Sequence, residues 1–448
     1  MLINYRLENY KSYGDMQRFS MIPGRYQSKS EHIVKREKFN VLKFSSIYGA
    51  NASGKSNFVN SLLQLKQYVI DGIVSKRFNS VSFKFSDNEV STFETEIGIG
   101  EEVYVYGLSA NIKLGIVFQE YIYRISPEKI IFHLNRKTGE GPGIDEKLCG
   151  SSNTYQRYNI YVSDLGTDEL FITKVANAKN IGPNEFIEIV RKVHLWFKNT
   201  LQVITPKSSP RDIIKQFIEC DNDASGDSLV ELLKPFDTGI TNYSTEIIEE
   251  EEFLLKIRNM TNNDELVNQT KNQVLNLNQN AILNLTVGDE YFQIKYNKIS
   301  KKREVIKFSF EHSNNKIKRF EYYEESDGTK RLIELIYILH MIQKRSYTFI
   351  IDELERSLHP NITREFVRKY MQIATMNDSQ LILGTHEITI MDLNLFRQDE
   401  LWGIEKNSKA MSVLSPFSRF RLRNDKVLDK DYLNGRYGAV PHIIKELH

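Results

Sequence analysis

The run VLKFSSIYGANASGKSNFVNSLLQLKQYVI constrains the fold more than any other stretch of the chain. A short apolar strand ends at Gly49, a glycine-bearing turn follows, and apolar residues then recur at helical spacing at Phe58, Leu62, Leu65 and Val69. The turn, GANASGKS from Gly49 to Ser56, fits G-x-x-x-x-G-K-[ST] at every fixed position. Gly49 and Gly54 let the backbone wrap tightly around phosphate oxygens. The amides after Gly49 point inward as an anion nest, and the helix starting near Lys55 adds its positive end. Lys55 is expected to reach the β- and γ-phosphates of a nucleotide, and Ser56 to ligate Mg²⁺. Gly49, Asn51, Ala52, Ser53, Gly54, Lys55, Ser56 and Asn57 are therefore the candidate nucleotide-binding residues.

A second segment, YTFIIDELERSLHP, reads as a buried strand ending in a pair of acids. Open α/β sheets place ligands at the carboxyl ends of their strands. Asp352 is the candidate second metal ligand, and Glu353 the candidate base for an attacking water. The long sequence gap between Lys55 and Asp352 points to a nucleotide-binding fold whose halves are separated by an insertion. A small GTPase or kinase would not need it.

Composition excludes more than it selects. With 448 residues, 40% hydrophobic and 26% charged, the chain fits a globular protein of two to four structural units. The net charge of +2 makes no global polycation for nucleic acid. The basic runs at Lys301–Arg303, Lys316–Arg319 and Arg419–Arg423 and the acidic run Glu249–Glu252 read as solvated faces. Cys149 and Cys220 are too few and too distant for a disulfide framework or a zinc site, which fits a reducing cytoplasm. No run reaches the 20 or so apolar residues of a membrane span, and the N-terminus lacks a signal-peptide core. The expected location is cytoplasmic.

Along the chain, Leu2–Arg6 alternates like a half-buried strand, and Val81–His133 alternates in runs that predict an antiparallel layer, with Phe83 and Phe85 among its strand residues. A loop is expected over 139–153. Helical spacing dominates 164–277, where Ser225 or Asp227 could cap the helix SGDSLVELLKPF. Strands return at Tyr291–Tyr296 and Val305–Phe310. The last third then alternates helix Lys330–Ile342, strand TFIID, helix Ile362–Ile373, strand QLILGTH and strand LWGIEK. The expected domains are an N-terminal lobe with the phosphate loop and a β layer (1–138), a mainly helical insertion (139–280) and a C-terminal lobe (281–448).

Five segments together resemble the ABC-type ATPases of the SMC, RecF and OLD group. They are the phosphate loop, ESDGTKRL at Glu325–Leu332, IIDELERSLHP at Ile350–Pro360, LILGTHEITIMD at Leu381–Asp392 and YLNGRYGAVP at Tyr432–Pro441. Within that group the chain looks most like the AAA-15-type ATPases of bacterial phage-defence modules such as PARIS and RloA-like systems. The resemblance implies an α/β, ABC-type P-loop NTPase head with an antiparallel β layer and an inserted helical subdomain. It implies ATP and Mg²⁺ as ligands and hydrolysis to ADP and phosphate. Ser326 and Gly328 then match the signature motif that grips the γ-phosphate held by a second subunit, although Asp327 replaces a glycine of the usual form. Ser326 and Asp327 also suit an ordinary helix cap. His386 matches the switch histidine, Ser357 the D-loop, and Lys11 a phosphate-touching basic residue that could as well be a surface lysine. Gln119 is a Q-loop candidate by order alone. For the tail, Gly435 and Gly438 suggest a turn and Arg436 a phosphate or carboxylate contact.

The stretch after His386 shows no paired-acid nuclease pattern, and no long heptad run marks a coiled coil. The expectation is an ATPase whose ATP-driven dimerisation controls a separate effector, such as a TOPRIM-type nuclease or a toxin, in anti-phage defence. The alternative is a RecF-like DNA-binding repair clamp. A non-hydrolysing structural subunit fits poorly with Lys55, Asp352 and Glu353 all in place.

Overall fold

The computed structural model describes residues 1–26, 28–76, 81–138, 143–206, 226–278, 282–287, 290–297, 300–313, 316–420 and 428–439. Cys220, the cap candidate Ser225, the side chain of Asp227, Arg421 and Arg423, and Pro441 of the tail motif lie outside the described residues. The chain divides into two compact units. The first comprises residues 1–206, 345–355 and 370–448, and the second 207–344 and 356–369. These units do not follow the expected boundaries at 138 and 280.

The first unit is built on two six-stranded sheets. One is antiparallel, in the order Gln17–Ser20, Leu2–Glu8, Val90–Ile99, Glu102–Asn111, Ile116–Arg124, Lys129–Asn135. This is the expected hairpin layer, but it starts at Val90. Phe83 and Phe85 lie in turns, because the Phe83 amide is taken by Asn9 Oδ1 at 3.1 Å instead of a ladder partner. The first strand is more than half-buried. Asn4, expected on a wet face, is buried and held by polar partners, donating to Glu96 Oε2 at 2.6 Å and accepting from Arg18 Nε at 3.1 Å.

The second sheet runs Leu201–Ile204, Thr348–Asp352, Gln380–Thr385, Phe44–Gly49, Leu401–Lys406, Ser412–Pro416. Its first five strands are parallel and the last is antiparallel. Phe44–Gly49 is buried along its whole length, and the helix Lys55–Asp71 after it buries Phe58, Leu62, Leu65 and Val69, the stripe expected from their spacing. Helices Ser152–Ser163, Phe171–Ala176 and Glu185–Leu195 also belong to this unit, the last capped by Asn184 Oδ1, which accepts from Ile187 N at 3.0 Å.

Helices outnumber strands in the described part of 139–280, but two strands interrupt them. Leu201–Ile204 is an edge strand of the parallel sheet, and Ile240–Ile248 is a strand of the second unit. A four-residue apolar run has no periodicity of its own, so only its neighbour Thr348–Asp352 decides its state. The expected loop at 139–153 also carries a 3₁₀ turn at Glu146–Cys149 and the start of a helix.

In the second unit, antiparallel strands follow the order Ile240–Ile248, Lys302–Ser313, Glu290–Asn297, Ile282–Val287, with Ile317–Glu321 also paired to Lys302–Ser313. Ile248, Phe253, Ile257, Val274, Phe292, Ile294 and Val305 form a small core beneath helices Glu250–Thr261 and Asp264–Leu275. Helix Asp327–Lys344 follows. No described helix is long and apolar enough to cross a membrane.

Candidate functional site

Strand register explains how residues far apart in sequence meet. Thr348–Asp352 and Phe44–Gly49 flank Gln380–Thr385, pairing Asp352 with Gly384 and Tyr48 with Thr385. The carboxyl ends of three neighbouring parallel strands therefore carry Asp352, His386 and the Gly49 turn side by side, where ligands of open α/β sheets sit.

The phosphate loop is held by close packing. A Cβ on Gly49 would lie 2.6 Å from Ile404 O and 2.5 Å from Ser53 Oγ. Gly54 has φ +120° and fills a slot between Ser412 and Ser12, with Tyr13 donating its hydroxyl to Gly54 O at 3.0 Å. Ser412 Oγ donates to Ser53 O at 2.5 Å and lies 2.8 Å from Ser12 Oγ, which accepts from Asn57 Nδ2 at 2.9 Å. Ser12, Tyr13 and Ser412 escaped the sequence reading, because nothing in their local pattern ties them to a loop so distant in the chain. Lys11 sits next to Ser12 in that turn, with φ +51° and its ammonium 5.4 Å from the Tyr10 ring. Asn51 and Ala52 are exposed at the loop tip, Ala52 with φ +61°. Ser53 is buried, with no hydrogen-bond partner for its hydroxyl.

Gly54→Ala should weaken nucleotide binding about tenfold or more, since a side chain at this φ is strained by ~1–3 kcal/mol before it meets Ser412. Titration with a fluorescent nucleotide analogue checks this.

Lys55 is 6% exposed, and its Nζ donates to Gly49 O at 2.6 Å and lies 3.3 Å from His386 Nδ1. Burial lowers its pKa to about 8 against the opposing pull of Asp352, then Glu355 and Glu353. Burial, followed by Lys55, also lowers the pKa of His386, which favours a neutral imidazole able to accept from the ammonium.

Asp352 is 1% exposed, and its Oδ1 has no hydrogen-bond partner. Burial raises its pKa, while a hydrogen bond with Ser56 opposes the rise. A buried, unpartnered carboxylate oxygen beside a hydroxyl fits a divalent cation. Among the described residues no cluster of three or more His, Cys, Asp or Glu could hold a metal ion alone. Glu353 follows with φ +51°, its amide donating to Gly384 O at 2.8 Å. A non-glycine residue in this region is the kind of strain that functional sites retain.

Ser326 and Gly328 lie in the second unit. Ser326 Oγ accepts from Thr329 N at 3.1 Å and so caps helix Asp327–Lys344. Gly328 lies against the D-loop candidate: a Cβ there would be 2.8 Å from Ser357 O, and Ser357 has φ +63°. Asp327 points to solvent. Gln119 is not in a loop; it sits within Ile116–Arg124, paired with Ser109 and Asn135. In the tail, Arg436 pairs with Asp431 at 2.9 Å, and Gly438, φ +69°, abuts Glu405. Tyr432 packs 6.0 Å from Tyr48, which precedes the phosphate loop. The described part of the tail, 432–439, is a packed turn with a carboxylate contact.

Sheet order and site together define an α/β fold with a P-loop at the carboxyl edge of a mostly parallel sheet. Residues 216–392, less than half of the chain, match the family described as AAA domain, putative AbiEii toxin, Type IV TA system. No curated protein matches the chain. Among solved structures, it is similar to the SMC head domain from Thermotoga maritima at 12% identity and a TM-score of 0.39, covering 93% of this chain and 98% of that one. An SmcHead bound to the C-winged helix domain of ScpA aligns at 14% identity and a TM-score of 0.43, over 92% and 97%. An Smc head domain with an extended coiled coil, bound to the C-terminal domain of ScpA derived from Pyrococcus furiosus, gives 14% and 0.43, over 92% and 95%.

Proposed function

We propose that the chain binds ATP with Mg²⁺ and hydrolyses it to ADP and phosphate. The observation that carries this reading is the convergence of Lys55 and His386, 3.3 Å apart, with Asp352 at the end of the adjacent strand and Glu353 just after it. Lys55 leaves its loop carbonyl to neutralise the β- and γ-phosphates. Amides of Asn51 to Ser56 cradle the phosphate oxygens, and Lys11 approaches from the flanking turn. Ser56 and Asp352 would hold the Mg²⁺, which supplies charge neutralisation at the transferred phosphoryl group. Glu353 accepts the proton of the attacking water. His386 donates to a γ-phosphate oxygen. Ser326 and Gly328 of a second copy close over the same phosphate, so ATP favours a face-to-face pair because it adds contacts only in the closed state.

The match to a family described as a putative AbiEii toxin of a toxin–antitoxin system supports a role in defence. We read the closed pair as the state that holds or releases a separate effector, a nuclease or toxin, in the cytoplasm. Recovery of the chain from its native operon without a companion protein, with full biological activity alone, would overturn that reading.

Lys55→Ala tests the nucleotide site. Truncating a buried charge partner costs ~2–5 kcal/mol, so ATP binding should weaken by at least about 30-fold. Titration calorimetry showing unchanged affinity would remove the assignment.

A further inference from the structure

Glu355 lies just past the acid pair, in a stretch whose motif assigns it no role. Its carboxylate is fully engaged by the neighbouring strand. Oε2 accepts from Thr385 Oγ1 at 2.8 Å, and Oε1 accepts from the His386 backbone amide at 2.6 Å. Thr385 Oγ1 accepts in turn from the Glu387 amide at 2.9 Å. Residues 385 and 386 are thus pinned to one carboxylate, and 387 to the Thr385 hydroxyl, at the point where the strand ends and the chain turns.

The pinned turn carries the imidazole. His386 Nδ1 stands 3.3 Å from Lys55 Nζ, so its placement depends on the backbone from which it projects. Strand-end turns are the mobile part of such sheets, and a charge-assisted bond to an amide is about twice as strong as a neutral one. Both carboxylate oxygens are used, each for a different donor. That requires a fork of glutamate length, which an aspartate at the same backbone position would not extend to both.

We propose that Glu355 is a positioning residue for His386, holding the switch imidazole at the phosphate end of the nucleotide. It acts through the Thr385–Glu387 backbone and does not touch substrate. The inference rests on the nucleotide-hydrolysis reading above.

Steady-state phosphate release and titration with a fluorescent ATP analogue, run on Glu355→Ala, Glu355→Gln, His386→Ala and the double variant, test it. Glu355→Ala should lower kcat about 100-fold, as a displacement of about 1 Å does, with nucleotide affinity changed by less than about threefold. Glu355→Gln should stay within about tenfold of the parent, because its amide still accepts from His386 N and can donate to Thr385 Oγ1. The double variant Glu355→Ala/His386→Ala should be no slower than His386→Ala alone, as expected of residues that act as one unit.

Unchanged turnover in Glu355→Ala overturns the proposal, as does a loss of affinity that matches the loss of kcat. Losses that multiply in the double variant do so as well. A Glu355→Gln as slow as Glu355→Ala overturns it too, because the charge facing Lys55 would then matter and the hydrogen bonds would not. If Glu355→Ala does not fold, Thr385→Val removes one of the two donors, and normal turnover in it is equally fatal. Lys55→Ala separates the two readings. If it turns over normally, the nucleotide site itself is wrong. If it fails while Glu355→Ala works, only the role of Glu355 falls.

Discussion

Glu353→Gln is expected to slow phosphate release by about 10²–10⁴-fold, the usual contribution of a positioned general base, while ATP binding persists. The substitution keeps the side chain's length and removes its ability to accept a proton. Its backbone anchor survives, because the bond to Gly384 O comes from the amide and not the side chain. The strained φ of +51° is no worse for glutamine than for glutamate. Lys55, Ser56 and Asp352 are untouched, so the contacts that grip the phosphates remain. The variant should therefore accumulate with ATP bound and, on the proposed mechanism, run as a dimer in size-exclusion chromatography with ATP present. Single-turnover phosphate release is the decisive measurement. A rate equal to that of the parent would show that another group takes the proton.

Gln380→Ala should destabilise the first unit by roughly 3–5 kcal/mol, at the upper end of single-substitution effects. Gln380 is completely buried at the start of its strand. Its Oε1 accepts from Leu2 N at 2.6 Å and from Thr348 Oγ1 at 3.1 Å. Its Nε2 donates to Leu2 O and Leu42 O, both at 2.9 Å. One side chain thus ties the first strand of the antiparallel sheet to the parallel sheet that carries the site. Truncation leaves Leu2 N, Leu2 O and Leu42 O buried without partners, at ~1–3 kcal/mol for each unsatisfied group, less what water entering the gap recovers. A melting temperature lower by about 5–8 °C follows from an unfolding entropy of ~2 cal/mol/K per residue over a unit of this size. Gln380→Glu should be comparably damaging: it keeps the acceptor for Leu2 N but sets a carboxylate against two carbonyl oxygens. A thermal melt within 2 °C or so of the parent would refute the keystone role.

Legibility followed the range of the interactions. The phosphate loop was readable because its glycines, lysine and serine are contiguous and its flanks have opposite periodicities. Thr348–Asp352 and Gln380–Thr385 were readable because strands buried on both faces carry nearly continuous apolar runs. Leu201–Ile204 was not, being too short to show a period and defined only by its parallel partner. Phe83 and Phe85 looked like strand residues because aromatic alternation is shared by strands and by turns that bury one ring. Glu355, Ser12, Tyr13 and Ser412 stayed invisible as site residues, since every contact that matters joins them to a distant segment.

The amino-acid order alone determined the chemistry on offer: an anion nest with its lysine, a hydroxyl beside it, and an acid pair closing an apolar strand. These depend on neighbours a few positions away, where backbone geometry is set by residue type. Only the tertiary structure decided that the parts meet. Sheet order inserts Gln380–Thr385 between the lysine's strand and the acids' strand, and its register sets His386 against Lys55. Strand order is a contest among buried surfaces spread over the whole unit, and no local pattern encodes its outcome.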